Sequence, residues 1–271
     1  MRIAVTGGKG GTGKSLVATS LAAELSKNNK VLLVDADVEC PNDHLVLSIK
    51  RRELRKVVQF KPEFNYDKCV KCGACSRACK EKAILFVKHD FPKFVPEQCI
   101  GCGACLAACP SRAITKGKNK IGMIYSGEKS NLSFLSGETI EGVEETSPVV
   151  NTLKKEIKDG FDYEIIDTAA GAHCSVISAL IGSDLALVVT EPTPFGSHDA
   201  ALMLELLGKL GIPSVIVLNK STIGEKGLIK GLGSEVIAEI PYDKKILEAY
   251  AAGRVVKHKA FDKIIKYLED L

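Results

Sequence analysis

The sequence predicts an α/β fold built on a mostly parallel sheet and interrupted by one small cysteine-rich insertion. Short apolar segments of strand length alternate with longer segments whose apolar residues recur at helical spacing. Such alternation is typical of a sheet covered by helices on both faces. Hydrophobic residues make up 45% of the 271 residues, enough for a sizeable core. The insertion departs from this pattern because it holds eight of the ten cysteines.

The elements follow from these patterns in chain order. The predicted strands lie at residues 3–6, 31–37, 163–167, 185–190 and 214–219. The predicted helices cover residues 14–26, 149–159, 197–210, 244–252 and 260–270. We expect a discontinuous main domain of residues 1–60 and 118–271, with an inserted domain of residues 61–117. The flanks of the insertion are polar and turn-prone, as domain boundaries usually are.

Two copies of one cysteine pattern occupy the insertion. Residues 69–79 and 99–109 share the spacing Cys-x₂-Cys-x₂-Cys-x₃-Cys; Pro110 follows the second copy, whereas Lys80 follows the first. Zinc sites use paired Cys-x-x-Cys units, which fit this spacing badly. The spacing is that of bacterial two-cluster ferredoxins, in which the fourth cysteine of each copy binds the other cluster. It predicts two [4Fe–4S] clusters, one held by Cys69, Cys72, Cys75 and Cys109 and the other by Cys79, Cys99, Cys102 and Cys105.

A glycine-rich loop joins the first predicted strand to the first predicted helix. Such a loop directs backbone amides and a helix N-terminus at phosphate oxygens. Its pattern predicts that Lys14 reaches the terminal phosphates of a nucleotide and that the Ser15 hydroxyl joins the Mg²⁺ shell. The predicted phosphate-binding residues are Gly8, Lys9, Gly10, Gly11, Thr12, Gly13, Lys14 and Ser15.

With its second lysine, Lys9, the loop resembles the deviant Walker A motif of the MinD/ParA/Mrp family of P-loop ATPases, which includes the nitrogenase iron protein. The resemblance implies an ATP-dependent homodimer in which Lys9 reaches the partner's nucleotide. It implies catalytic roles for Lys9, Lys14 and Asp37, with Asp37 acting on the attacking water. Mg²⁺ would be held by Ser15, Asp37 and Asp167.

The resemblance extends to the nucleotide base, and alternatives stay open for three further residues, Asp35, Cys40 and Cys174. It implies that Asn219 and Pro241 contact adenine. For Asp35, a turn cap and a direct role in the site both stay open. Cys40 and Cys174 read as small buried hydrophobic residues; the alternative is that Cys174 helps to hold a metal or transient cluster in the dimer.

As a whole, the chain resembles MinD-type P-loop NTPases that carry an inserted ferredoxin-like domain with two [4Fe–4S] clusters. This implies that nucleotide state gates electron transfer through the clusters to a redox partner, with slow or partner-stimulated ATP hydrolysis. An ATP-dependent, Mrp-like factor that delivers iron–sulfur clusters to client proteins stays open. So does a purely structural role for the clusters.

Composition narrows the partners. A net charge of +4, with basic residues scattered among acids, gives no case for nucleic acid. No apolar stretch approaches the roughly 20 residues of a membrane span. The apolar stripe at 260–270 is therefore expected to close the sheet rather than to anchor a membrane. Iron–sulfur ligation by reduced cysteines indicates the cytoplasm.

Overall fold

The computed structural model describes residues 1–271, which form eleven strands, nine of them in one main sheet. In chain order the strands are β1 (Arg2–Thr6), β2 (Val31–Ala36), β3 (Arg52–Phe64), β4 (Ile84–Leu85), β5 (Lys93–Phe94), β6 (Ile114–Lys129), β7 (Leu132–Thr139), β8 (Tyr163–Thr168), β9 (Leu185–Thr190), β10 (Ser214–Leu218) and β11 (Val236–Glu239).

Ten α-helices connect or cover these strands. They are α1 (Lys14–Leu25), α2 (Asp43–Leu47), α3 (Ala74–Ala78), α4 (Ala104–Ala107), α5 (Ser147–Lys155), α6 (Cys174–Leu180), α7 (Pro194–Leu210), α8 (Gly227–Lys230), α9 (Lys244–Ala251) and α10 (Lys259–Glu269). The five predicted helices correspond to α1, α5, α7, α9 and α10. The five that were not predicted are short, so their apolar periodicity covers too few turns to detect.

The main sheet has the strand order β11-β10-β9-β1-β8-β2-β7-β6-β3. Neighbouring strands from β11 to β7 are parallel, whereas β6 pairs antiparallel with both β7 and β3. The prediction of a mostly parallel α/β sheet is confirmed. Strands β4 and β5 form a separate two-stranded sheet within the insertion.

Alternate residues of the central strands pack on opposite faces of the sheet. In β2, Leu33 joins a core cluster beneath α1 and α10, whereas Leu32 and Val34 join the cluster beneath α5. Both faces are therefore buried, and all six residues of β2 are buried. This double burial explains the continuous apolar runs in the central strands.

The insertion is carried by a long ribbon of β3 and β6 at one edge of the sheet. Pairing runs without a turn from Arg52–Ser126 to Phe64–Ile114. The boundary expected at residues 61 and 117 lies inside the ribbon, where Lys61 pairs with Gly117. The ribbon was not predicted because many of its outer positions carry charged side chains, which hide the strand pattern and also suit an exposed edge.

The apolar stripe of α10 faces the core of the protein. Phe261, Ile264 and Leu268 are buried in the cluster that also contains residues of α1. The stripe is thus covered by the protein itself, as expected for a helix that closes the sheet. No helix combines the length and the apolar character needed to cross a membrane.

Candidate functional site

The site lies where the central parallel strands end at their carboxyl edge. The glycine-rich loop follows β1, and Asp35 of β2 stands in register with Asp167 of the neighbouring β8. Glu191 follows β9, the neighbour of β1 on its other side. Crevices outside the carboxyl ends of such sheets are the usual ligand sites of open α/β folds.

The loop takes a conformation that requires glycine at two points. Gly13 has φ +96°, and a Cβ there would lie 2.2 Å from the Asn219 side-chain nitrogen. A Cβ at Gly8 would lie 2.4 Å from the Asp199 carbonyl oxygen. The loop therefore packs against the end of β10 and against α7, whereas a Cβ at Gly10 or Gly11 would meet no atom within 4 Å.

The lysines around the loop are held by protein groups. Lys14 Nζ donates to the Lys9 carbonyl oxygen at 3.1 Å. Burial lowers the pKa of Lys14, and this is partly offset by the carboxylates of Asp167 and Asp37. Lys14 thus lies near the two acids predicted to hold Mg²⁺.

Glu191 is a residue of this site that sequence reasoning missed. Its carboxylate accepts a hydrogen bond from Lys9 at 3.1 Å and another from Lys220 at 3.0 Å. Lys220 also donates to the Gly11 carbonyl oxygen at 3.0 Å. Burial alone would raise the pKa of Glu191, but the hydrogen bonds from Lys220 and Lys9 lower it. Its position after a buried parallel strand was the signal that could have identified it.

The residues predicted for Mg²⁺ lie together and suit a hard cation. Asp167 is 1% exposed, and its Oδ1 has no hydrogen-bond donor. Burial raises the pKa of Asp167 to about 7, against the opposing effects of the Ser15 hydroxyl and Lys14. Burial also raises the pKa of Asp37, whose carboxylate accepts a hydrogen bond from the Cys40 amide. An orphaned buried carboxylate oxygen beside a hydroxyl fits Mg²⁺ ligation.

Asp35 serves as a turn cap within this group. Its two carboxylate oxygens accept hydrogen bonds from the backbone amides of Asp37 and Asp43, at 3.3 and 3.2 Å. Asp35 therefore caps this turn, and one of its oxygens also lies within 4.8 Å of an oxygen of Asp167. Asp43, at the start of α2, is fully buried in the same place and was not predicted.

The two residues predicted to contact adenine occupy different surroundings. Asn219 is buried, and its Nδ2 donates to the Thr12 carbonyl oxygen at 2.7 Å, so the side chain supports the phosphate loop. Pro241 follows β11 at the neighbouring strand end. The side-chain oxygen of Asn219 accepts a hydrogen bond from the backbone amide of Lys220.

The eight cysteines of the insertion surround two small cavities. The two cavities are similar in size and in the character of their lining. Within each set one cysteine is buried, one is exposed and two are intermediate, which gives the insertion an internal two-fold regularity. One cavity is lined by Cys69, Cys72, Cys75 and Cys109, and the other by Cys79, Cys99, Cys102 and Cys105.

The thiols of these cavities are set in apolar surroundings. Burial raises the pKa of Cys75 and Cys99, and that of Cys105 to about 11. Apolar residues, including Phe60, Phe64 and the buried Ile84 and Ile114, pack around them. Four thiols around a cavity, deprotonated on binding, are the donor set that iron–sulfur clusters take.

The two remaining cysteines are not buried. Cys40 and Cys174 are both exposed, so the expectation that they act as small buried hydrophobic residues is wrong. Cys40 follows β2, and Cys174 opens α6, and both lie in the connections that leave the carboxyl edge of the sheet. Connections of this kind usually run over the surface, so small side chains in them stay accessible.

Comparison with known proteins identifies the family. The model of the CobQ/CobB/MinD/ParA nucleotide binding domain matches residues 3–256. An uncharacterized protein of Methanocaldococcus jannaschii is 36% identical over 273 residues, which span 100% of this chain and 96% of that protein. The septum site-determining protein MinD of Thermotoga maritima is 27% identical and covers 99% of this chain and 85% of its own length.

Solved structures agree on the fold. The cell division ATPase MinD of Pyrococcus furiosus superposes with a TM-score of 0.63 at 23% identity, covering 99% of this chain and 98% of that one. The chain therefore belongs to the MinD/ParA-type family of nucleotide-binding P-loop ATPases, as the family match over residues 3–256 shows and as the two-lysine phosphate loop and the paired acids at the strand ends indicate.

Proposed function

We propose that this chain is an ATP-hydrolysing iron–sulfur protein in which nucleotide state gates electron transfer through two [4Fe–4S] clusters to a redox partner protein. The observation that carries the proposal is the grouping of eight cysteines around two equivalent cavities. The cavities stand on a ribbon that is continuous with the sheet of the ATPase. A conformational change at the sheet edge therefore has a direct route to the insertion.

In this proposal the phosphate loop and the strand-end acids bind Mg²⁺ and ATP. The loop amides and Lys14 bind the phosphates, and Ser15, Asp37 and Asp167 hold the metal. Asp37 orients the attacking water. Lys9 exchanges its bond to Glu191 for the phosphates of the partner's nucleotide, so that ATP favours a homodimer. Phosphate is the stronger competitor for an ammonium group because it carries more charge than one carboxylate.

The insertion supplies the redox groups. When bound, the clusters provide one-electron transfer at potentials set by their surroundings. The protein contributes the thiolates, an apolar shell and backbone amides close to the sulfur atoms. One such amide, from Ala113, donates to Cys109 Sγ at 3.2 Å and lowers the pKa of Cys109 against the effect of burial. None of the ten cysteines forms a disulfide, and we place the site of action in the reducing cytoplasm.

A specific observation favours a second function, ATP-dependent delivery of iron–sulfur clusters to client proteins. One ligand of each set, Cys72 in the first and Cys102 in the second, is exposed. An acceptor thiol could reach a cluster at these two positions. The buried Cys75 and Cys105 argue for retention of the clusters, because release would leave their thiolates without iron in apolar surroundings.

An anaerobic reconstitution experiment separates the two functions. The loaded protein is monitored by EPR, with and without ATP and Mg²⁺, and is mixed with an apo-ferredoxin as acceptor. Gated electron transfer predicts that iron stays bound and that nucleotide changes the potential or the rate of reduction of a redox partner. Nucleotide-dependent appearance of iron and sulfide in the acceptor would instead establish delivery. The Lys14→Ala variant should remove either nucleotide effect without changing the bound iron.

A further inference from the structure

We propose that Asp43 joins Asp35 and Asp167 in a buried carboxylate site for a divalent cation of the Mg²⁺ class, and that this cation ties helix α2 to the nucleotide site. The inference rests on the proposed Mg²⁺ role of Asp167 and adds two protein groups to it. It does not depend on the function of the clusters.

The three carboxylates are close together and shielded from water. Asp43 is 0% exposed, and Asp35 and Asp167 are each 1% exposed. One oxygen of each lies within 4.8 Å of the corresponding oxygens of the other two. Three carboxylates at this spacing in a protein interior cannot all be ionised without a counterion. None of them forms an ion pair with a lysine or arginine within 4 Å.

Their hydrogen bonds indicate which oxygens are available. Asp35 is oriented by two backbone amides. Both oxygens of Asp43 and Oδ1 of Asp167 have no donor at all. Buried polar atoms almost always have a partner, so three unpartnered oxygens in one place indicate a ligand-binding position. The ligand that suits clustered carboxylate oxygens is a hard divalent cation.

The nearest ammonium group does not fill this role. Lys14 Nζ is bonded to the Lys9 carbonyl oxygen rather than to a carboxylate. The three clustered carboxylates therefore form an acidic and enclosed group.

Because of the position of Asp43, cation binding would restrain helix α2. Asp43 is the first residue of α2, a five-residue helix that is followed by Ser48 in the left-handed conformation, φ 53°. The Leu47 carbonyl oxygen accepts a hydrogen bond of 2.8 Å from Lys129 at the end of β6. Strand β3 begins at Arg52. Binding of the cation by Asp43 thus fixes α2 against the base of the ribbon that carries the insertion.

Manganese binding to the nucleotide-free full-length protein tests the site. Mn²⁺ is titrated and free Mn²⁺ is measured by EPR, for the wild type, for Asp43→Asn and for Asp262→Asn as the exposed control. We expect Asp43→Asn to weaken binding by about ten-fold or more, the usual effect of removing a supporting carboxylate, and the control to bind as the wild type does. Asparagine has the same shape and no charge, so a thermal melt should show that the fold is kept. Equal affinity of the wild type and Asp43→Asn, or no binding by the wild type, would overturn the proposal.

Hydrogen–deuterium exchange tests the mechanical link separately. Mg²⁺ should slow amide exchange in residues 43–50 and at the base of the ribbon in the wild type, and should fail to do so in Asp43→Asn. Equal protection in the two proteins would refute the link between the cation and α2. Because neither measurement involves electron transfer, a failure of cluster gating leaves both results intact, and the reverse also holds.

Discussion

The side chains at the phosphate loop form a closed network of hydrogen bonds. Glu191 holds Lys9 and Lys220, while Lys220 and Lys14 each bond a carbonyl oxygen of the loop. The lysine that identifies this family is thus paired within its own chain. Glu191 is only 7% exposed, so solvent weakens these ion pairs less than those on the open surface.

Replacing Glu191 by Gln should strengthen nucleotide binding. The change removes a carboxylate that competes with phosphate for Lys9 and Lys220, and we expect ATP analogues to bind several-fold tighter, equivalent to about 1 kcal/mol. Calorimetric titration with a non-hydrolysable analogue measures the effect. Glu205→Gln, which breaks an exposed pair with Lys209, is the control and should bind as the wild type does. Weaker binding by Glu191→Gln would show that Glu191 holds the loop in its binding conformation rather than competing with phosphate for the lysines.

The buried aspartates make the stability of the metal-free protein depend on pH. The pKa of Asp167 is about 7 in the folded chain against an ordinary value of 3.8, because burial favours the neutral acid. Its contribution to stability is complete below the unfolded pKa and is lost as pH rises through about 7. With EDTA present, the unfolding temperature should therefore fall between about pH 5 and about pH 8.

Adding Mg²⁺ should remove most of that decline, since the cation replaces the proton as the partner of the ionised carboxylates. Thermal unfolding followed by circular dichroism at each pH, with EDTA and with Mg²⁺, measures both curves. A metal-free protein that becomes more stable over this pH range would contradict the assignment of these raised pKa values.

At the scale of elements, the apolar stripe of α10 and the charged residues of the ribbon each have a role that the residue pattern alone does not determine. The stripe on α10 has the period of a membrane-binding helix, yet it packs onto α1 and closes the core. In the ribbon, charged side chains at many outer positions guard an edge strand that would otherwise pair with another chain. Burial of one face, rather than the pattern alone, determines the role of each element.

Truncation of Phe261 in α10 should destabilise the whole domain. Phe261 is 0% exposed within the main core, and Phe261→Ala is expected to lower the free energy of unfolding by about 3–5 kcal/mol. Denaturant unfolding gives the value. Lys263→Ala, on the exposed side of the same helix, should change it by less than about 0.5 kcal/mol. A loss below about 1 kcal/mol for Phe261→Ala would mean that α10 is not firmly packed.

At the scale of the molecule, the ribbon of β3 and β6 joins the ATPase domain to the cysteine-rich insertion between Phe64 and Ile114, here called the module. The last pair of the ribbon joins Phe64 to Ile114, and beyond it lie the cysteines. The Gln59 side chain donates to the Ile100 carbonyl oxygen, so the loop of the second cysteine set also contacts the ribbon. The module is therefore connected to the main sheet by two paired strands and by a side-chain hydrogen bond to the ribbon.

The ATPase should survive removal of the module. In a variant that replaces residues 65–113 by Asn-Gly, the paired ends of the ribbon can be joined by a two-residue turn. We expect this variant to fold, to bind ATP with unchanged affinity and to bind no iron. Iron content after reconstitution, together with nucleotide titration, tests the expectation. An unfolded product would show that the module contributes to the stability of the main sheet.

Local signals in the sequence determined much of this protein. The spacing of glycines and lysines in the phosphate loop, the apolar runs of the central strands and the repeat of cysteines are each read within a few residues of the chain. The family match and the mostly parallel sheet confirmed what those signals indicated for the main domain. Such signals survive in sequence because backbone conformation and double burial restrict which residues can stand there.

Only the tertiary structure decided which distant residues meet. Asp43 and Glu191 lie in segments without a motif, and they acquire a role because parallel strands bring their ends to one edge of the sheet. The charged ribbon and the exposure of Cys40 and Cys174 likewise depend on what the fold covers and what it leaves open. Burial and electrostatic proximity arise between segments far apart in the chain, so local patterns do not contain them.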